Sequence, residues 1–145
     1  MRRPPFTARP LALSVALALT SPVALALDTP ITTSSSTTIT DALNVVQGAG
    51  TVTTTNDTNI TQVTGIVSGD GQLVKQGAGT LALTADNAYK GGTDLQSGTL
   101  SVEKNASLGS GVLRAADGTT LQTDQNVTLA NNVVIQSDTA SLAKI

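Results

Sequence analysis

The stretch QGAGTLALT, residues 76–84, decides the fold, and it follows a near copy of itself, QGAGTVTTT, at residues 47–55. In each copy two glycines precede a threonine and a run of residues that favour extended backbone. Glycine adopts bends that other residues avoid, and β-branched residues favour strands over helices. The pattern therefore predicts that each copy turns the chain into a new β-strand.

Glycine-threonine pairs recur downstream at a nearly constant spacing. They stand at 79–80, 98–99 and 118–119, so the glycines are 19 and 20 residues apart. Alternating apolar residues follow each pair, and side chains at positions i and i+2 of a strand share one face. The residues expected to point inward are Leu81, Leu83, Leu100, Val102 and Leu121, with Ala82, Ser101 and Gln122 on the opposite face.

A unit of about 20 residues with glycine at each turn is typical of a solenoid. We therefore predict an all-β fold, a right-handed parallel β-helix (β-solenoid). An antiparallel sandwich of short hairpins is the alternative, because it differs locally only in how the strands connect.

The composition excludes several kinds of chemistry. The chain has no cysteine and no histidine, so it lacks disulfides, thiolate nucleophiles, histidine acid-base catalysis and the usual transition-metal ligands. Hydrophobic residues make up 39% of the chain but aromatic residues only 1%, so the core must be aliphatic. We expect no catalytic residue, no metal site and no cofactor.

The N-terminus has the pattern of a secretory signal peptide. Three arginines among the first nine residues precede an apolar stretch at residues 11–19, which is too short to cross a bilayer. Ala24 and Ala26 fit the small-x-small pattern of signal peptidase, so we predict cleavage between Ala26 and Leu27. A short buried helix is the alternative reading of the same residues.

Removal of this leader changes the charge of the protein. The remaining chain keeps five basic and ten acidic residues, a net charge of −5. Such a chain has little electrostatic attraction for nucleic acid or anionic lipid. We predict three regions: a signal peptide at 1–26, a Ser/Thr-rich lead-in at 27–40 and a β-helical segment at 41–145.

Residues 71–102, GQLVKQGAGTLALTADNAYKGGTDLQSGTLSV, resemble the autotransporter-associated β-strand repeat of bacterial autotransporter passenger regions. The resemblance rests on many residue types at fixed spacings. Gly71, Leu73, Lys75 and Val102 are among the positions that match the repeat. The residues to which it assigns a structural role are Gly77, Gly79, Thr80, Leu81, Leu83, Asn87, Tyr89, Gly92, Thr93, Gly98, Thr99 and Leu100.

Two of these residues invite a more specific prediction. Tyr89 is expected to be a packed corner residue whose hydroxyl reaches the backbone. Asn87 is expected to be a turn residue that uses its side-chain amide locally. Gly77 and Gly79 are expected to permit a bend that a side chain would obstruct.

The resemblance implies an exported structural or interaction protein: a β-helical stalk or adhesin-like passenger segment, at the cell surface, associated with the outer membrane, or extracellular. Its implied partners are host or bacterial surface glycans or proteins, with a translocator barrel if the chain is part of a longer protein. We expect no nucleic-acid partner and no membrane insertion of the mature segment.

Two alternatives from other classes remain. The first is a secreted β-helix enzyme that acts on glycans through surface carboxylates such as Asp94 and Asp117. The second is a small glycan-binding module that uses threonine rows such as TVTTT at residues 51–55.

Overall fold

The computed structural model of the chain describes residues 25–27, 29–46, 48–124, 126–136 and 141–144. Within these ranges every regular element is a β-strand, and every strand pairing is parallel. Each strand pairs with a strand of a neighbouring circuit, so the backbone winds as a solenoid. The predicted all-β parallel solenoid is confirmed, the antiparallel sandwich is wrong, and the handedness stays a prediction.

The described strands form three sheets, one on each side of the solenoid. Sheet A contains β1 Leu25–Ala26, β4 Leu43–Asn44 and β7 Val67–Ser68. Sheet B contains β2 Ile31–Thr33, β5 Ala49–Thr54, β8 Gln72–Gln76, β10 Thr93–Leu95, β12 Leu113–Ala115 and β14 Val133–Ile135. Sheet C contains β3 Thr37–Ile39, β6 Ile60–Val63, β9 Thr80–Leu83, β11 Thr99–Val102, β13 Thr120–Thr123 and β15 Ser141–Lys144.

One circuit through the three sides is called a coil. The coils are coil 1 (25–39), coil 2 (43–63), coil 3 (67–83), coil 4 (87–102), coil 5 (107–123) and coil 6 (127–144). The side that begins with sheet A continues as a stack beyond β7. There the amide of Ala88 donates to the carbonyl of Val67 at 2.8 Å, and the amide of Ser110 donates to Tyr89 at 3.1 Å.

Residues in register form columns that run along the solenoid axis. In sheet C, Leu81, Leu100 and Leu121 occupy one inward column and are at most 4% exposed. Leu83 and Val102 occupy the next inward column, and both are buried. The predicted inward faces are therefore confirmed, and stacked aliphatic columns supply the core.

The two copies of QGAGT lie at different corners of the coil. The first leads into β5 of sheet B, and the second leads from β8 into β9 of sheet C. Gly77 has a φ of 82°, and a Cβ there would lie 2.2 Å from the carbonyl oxygen of Thr54. Gly79 has no such φ, but its Cβ would lie 2.4 Å from the Asn56 carbonyl. Each copy thus leads into a new strand. In the second copy, Gly77 is required by its positive φ and by the close Thr54 carbonyl, whereas Gly79 is required only by a close backbone approach.

The solenoid includes part of the segment predicted to lead into it. Within residues 27–40, β2 and β3 pair with β5 and β6 as strands of coil 1. Their apolar residues, Ile31 and Ile39, are partly buried against the core, which explains why a Ser/Thr-rich segment joins the stack.

The third glycine-threonine pair is offset by one residue from the other two, because Thr99 pairs with Thr80 and with Thr120 and not with Thr119. Counted from the paired residues Lys75, Leu95 and Ala115, this corner holds four residues in coils 3 and 5 and three in coil 4. Leu121 still aligns with Leu100 because the corner accommodates the difference in length. Where the structure describes the chain, no helix is long and apolar enough to span a membrane.

Candidate functional site

Several polar side chains lie inside the solenoid, where two sides meet at a corner. A buried polar group is unfavourable unless it finds a hydrogen-bond partner, so their contacts show what holds the stack together. The buried polar residues are Thr33, Thr54, Thr61, Lys75, Asn87, Thr93, Ser107 and Thr119.

Asn87 connects three coils at the corner between sheet C and the sheet A side. Its Oδ1 accepts a hydrogen bond from the amide of Val67 in coil 3 at 2.8 Å. Its Nδ2 donates to the carbonyl of Ser107 in coil 5 at 2.7 Å. The side chain therefore joins neighbouring coils and does not cap its own turn as expected from the sequence.

Ser107 continues this corner in coil 5. Its hydroxyl donates to the carbonyl of Leu83 at 3.0 Å and accepts from the amide of Lys104 at 3.0 Å. In coil 6, Nδ2 of Asn131 donates to the carbonyl of Gly111 at 2.7 Å, at the corner that precedes sheet B. The roles of Ser107 and Asn131 were missed because neither is marked by a local pattern.

Tyr89 is fully buried at the next corner. Its hydroxyl lies 2.6 Å from the hydroxyl of Thr93, which is 1% exposed. Burial raises the pKa of Tyr89, and the hydrogen bond with Thr93 opposes that rise. The packed corner position matches the expectation, but the hydroxyl reaches a side chain and not the backbone.

Three threonine hydroxyls form a buried cluster at the corner between sheets B and C of the first two coils. The hydroxyls of Thr33 and Thr61 are 2.5 Å apart, and those of Thr54 and Thr61 are 3.0 Å apart. At the same corner of coil 5, the hydroxyl of Thr119 donates to the carbonyl of Ala116 at 2.6 Å. Threonine hydroxyls therefore form hydrogen bonds at this corner in coils 1, 2 and 5.

Lys75 occupies the equivalent corner between coils 3 and 4. The side chain is 0% exposed, and Nζ donates to the carbonyls of Gln76 at 2.7 Å, Gly77 at 2.8 Å and Ser97 at 3.2 Å. Burial lowers the pKa of Lys75 to about 8. The sequence shows that Lys75 matches the repeat but gives no sign that its charge is enclosed.

Two other glycines of the repeat also adopt the left-handed backbone conformation. Gly92 has a φ of 88° and Gly98 a φ of 76°. A Cβ on Gly98 would lie 2.3 Å from the Gly77 carbonyl and 2.9 Å from Nζ of Lys75. Gly98 therefore makes room both for the stacked turn and for the lysine.

The two carboxylates considered as catalytic candidates, Asp94 and Asp117, lie in different elements. Asp94 lies on β10 and accepts a hydrogen bond from Nε2 of Gln96 at 2.8 Å, whereas Asp117 is in the turn after β12. Among the described residues, no three histidine, cysteine, aspartate or glutamate side chains are placed to hold a metal ion. Asp94 and Asp117 are thus held at different parts of the coil.

Threonines form an outward column on sheet C. Thr80, Thr99 and Thr120 are in register and half-buried, and the parallel column contains Ala82, Ser101 and Gln122. Successive strands of a sheet are about 4.8 Å apart, so the column presents hydroxyls at regular intervals. This face offers hydrogen bonds but no charge.

The described residues of the predicted cleavage site lie at the first coil. Ala24 is outside the described residues, Ala26 is exposed on β1, and Leu27 is buried. The amide of Leu27 donates to the carbonyl of Asn44 at 2.7 Å. Leu27 thus packs at the start of the core on the C-terminal side of the predicted scissile bond.

Comparison with known proteins agrees with this architecture. The family described as passenger-associated-transport-repeat matches residues 73–102. Over 119 residues the chain is 35% identical to the "Adhesin BmaC autotransporter" of Brucella suis biovar 1 (strain 1330), a match that covers 72% of this chain. The same match spans 4% of the length of that adhesin. No solved structure matches the chain.

The matched repeat lies in the middle of the solenoid. Residues 73–102 run from β8 to β11 and include Lys75, Asn87, Tyr89 and Gly98. The similarity points to export to the surface or the medium and to a structural role. Residues 73–102 are thus a passenger-associated-transport repeat, and the chain around them is a β-solenoid of the autotransporter passenger type.

Proposed function

We propose that this chain is a scaffold segment of an exported autotransporter-type adhesin, which holds binding regions away from the cell surface. The observation that carries the proposal is the continuous parallel stack of sheet B, from β2 to β14. A stack of this kind converts chain length into reach, because each coil contacts only its neighbours. The similarity to an adhesin supports surface glycans or proteins as the class of partner.

Export is the first part of this proposal to test. The full chain, expressed in a Gram-negative host, should lose residues 1–26 and begin at Leu27, as measured by intact mass and N-terminal sequencing. In that product the new amino group would lie beside the Asn44 carbonyl, which the Leu27 nitrogen already contacts. An unprocessed chain recovered from the cytoplasm would contradict export by this leader.

Surface display is the second part. We would join the chain to the translocator barrel of an unrelated autotransporter and measure digestion by a protease added to intact cells. The expected result is a chain accessible from outside, with increased attachment of the cells to immobilised glycans or proteins. A displayed chain that leaves attachment unchanged would contradict adhesion while keeping the scaffold role.

The non-enzymatic part of the proposal rests on the similarity to an adhesin and to a passenger repeat. Acidic and neutral polysaccharides should remain uncleaved by the purified chain. Cleavage that is abolished by Asp94→Asn or Asp117→Asn would favour a glycan-acting enzyme instead. Retention on a polysaccharide column without cleavage would favour a glycan-binding module.

A further inference from the structure

Lys75 places a charged amine in the interior of a predominantly aliphatic stack. An ammonium group has three N–H donors and no acceptor, and the three carbonyls of Gln76, Gly77 and Ser97 use all of them. A buried charge is tolerated only where hydrogen bonds replace its hydration. The interior corner therefore supplies a complete set of partners for the ammonium.

The three carbonyls belong to two different coils. Gln76 is the last residue of β8 and Gly77 begins the turn after it, both in coil 3, whereas Ser97 lies in the turn after β10 of coil 4. Nζ of Lys75 thus donates a hydrogen bond to the Gly77 carbonyl in coil 3 and another to the Ser97 carbonyl in coil 4. The set is thus complete only when coil 4 has stacked on coil 3.

The surroundings of Lys75 are uncharged. Its neighbours in the inward column are Val52 in coil 2 and Leu95 in coil 4, both fully buried. Within the described ranges, an ion pair joins Nζ of Lys90 and Oδ1 of Asp70 at 2.9 Å, and both side chains lie on the surface. Backbone carbonyl dipoles therefore hold the Lys75 charge without a carboxylate.

We propose that Lys75 is a latch between coils 3 and 4, which closes as coil 4 stacks and makes residues 73–102 fold and unfold as one unit. Replacing both members of a buried ion pair by well-packed apolar residues is often neutral or stabilising. Lys75 differs because its removal leaves partly buried carbonyls of both coils without the donor that joins them. This inference concerns how the stack is held and is independent of any adhesive partner.

The first experiment measures the reactivity of each lysine in the unsubstituted full chain. An amine-reactive ester is added near neutral pH, and acylation is followed by peptide mass spectrometry. Lys90 and Lys104, both exposed, should react quickly. Lys75 should react slower by on the order of a hundredfold or more, because it reacts only when the coils separate. Reaction of Lys75 at the rate of Lys90 would overturn the latch.

The second experiment removes the charge but keeps most of the side-chain volume. In Lys75→Met, hydrogen exchange of the amides in β10 and β11 should accelerate by on the order of tenfold or more, the change expected from losing a charge-assisted hydrogen bond. Lys90→Met is the matched control and should leave exchange in these strands unchanged, because its ion pair is exposed.

The two experiments fail in different ways. Unchanged exchange in Lys75→Met would show that Lys75 only fills space, and the latch would be rejected. If Lys75→Met does not fold, the acylation rates of the unsubstituted chain still decide the question. Acceleration confined to coil 4 would support the latch at that boundary.

Discussion

At the scale of single residues, interior polar groups set the conditions under which this solenoid is stable. Tyr89 and Thr93 illustrate this because their hydroxyls form a pair with each other inside the corner. Lys75 illustrates it through a charge held by carbonyls. Each of these groups is buried together with its hydrogen-bond partners. Removing one partner should therefore lower the free energy of unfolding more than removing both.

The first prediction tests this rule at Tyr89. Tyr89→Phe should lower the free energy of unfolding by about 1 kcal/mol, because the buried hydroxyl of Thr93 loses its partner. The double variant Tyr89→Phe with Thr93→Val should recover most of that loss. Urea denaturation of the four proteins measures the coupling, and simple additivity of the two substitutions would contradict it.

The second prediction concerns pH. Burial lowers the pKa of Lys75 to about 8 from its ordinary 10.5. Between these values the unfolded chain holds a proton that the folded chain has released, so stability should rise with pH. Burial raises the pKa of Tyr89, so above about pH 10 the folded chain keeps a proton that the unfolded chain loses. That effect should oppose the rise.

Urea midpoints measured from pH 7 to pH 11 check both effects. Lys75→Met should remove the rise above pH 8, and Tyr89→Phe should remove the opposing fall above pH 10. Parallel curves for the original chain and Lys75→Met would contradict the assignment to Lys75.

At the scale of the element, the strands can be predicted from the local sequence pattern, whereas the hydrogen bonds at the corners depend on how the coils stack. Inward leucines at Leu81 and Leu100 are predictable because the alternation within a strand is local. The partners of Asn87 are not predictable in this way, since Val67 and Ser107 each lie 20 residues distant and are set by stacking. Segment 27–40 shows the same limit, because its pairing with coil 2 outweighs its polar composition.

The third prediction compares two glycines at equivalent corners. Gly98 and Gly118 have similar φ values of 76° and 69°. A Cβ on Gly98 would lie 2.3 Å from the Gly77 carbonyl, whereas one on Gly118 would meet nothing within 4 Å. Gly118→Ala should therefore cost about 1 kcal/mol of conformational strain, and Gly98→Ala several times more. Equal shifts in the thermal midpoint would contradict this reading.

At the scale of the whole molecule, the structure is a one-dimensional stack in which stability comes from neighbouring coils. The interior coils are covered on both sides, and their inward residues, such as Leu95 and Leu100, are fully buried. In coil 6, by contrast, Val133, Val134 and Ile135 are 39% to 46% exposed. Local stability should therefore vary along the axis.

The fourth prediction follows from this gradient. Hydrogen exchange of the purified chain should be slowest in β8 to β11 and fastest in β14, because opening of an end coil breaks fewer contacts. Mass spectrometry of exchanged peptides measures the profile, and the far-ultraviolet circular dichroism spectrum of the same sample should be dominated by strand. Uniform exchange along the chain would indicate all-or-none unfolding instead.

The variable length of the corner between sheets B and C has a consequence for how such chains diversify. Because this corner holds four residues in coils 3 and 5 and three in coil 4 while Leu121 and Leu100 share one column, a codon gained or lost there leaves every downstream strand aligned. The same change inside a strand would turn the following side chains inside out. Alignments of related repeats should accordingly place their gaps at the corners, and a designer who lengthens this solenoid has the same positions open for new loops.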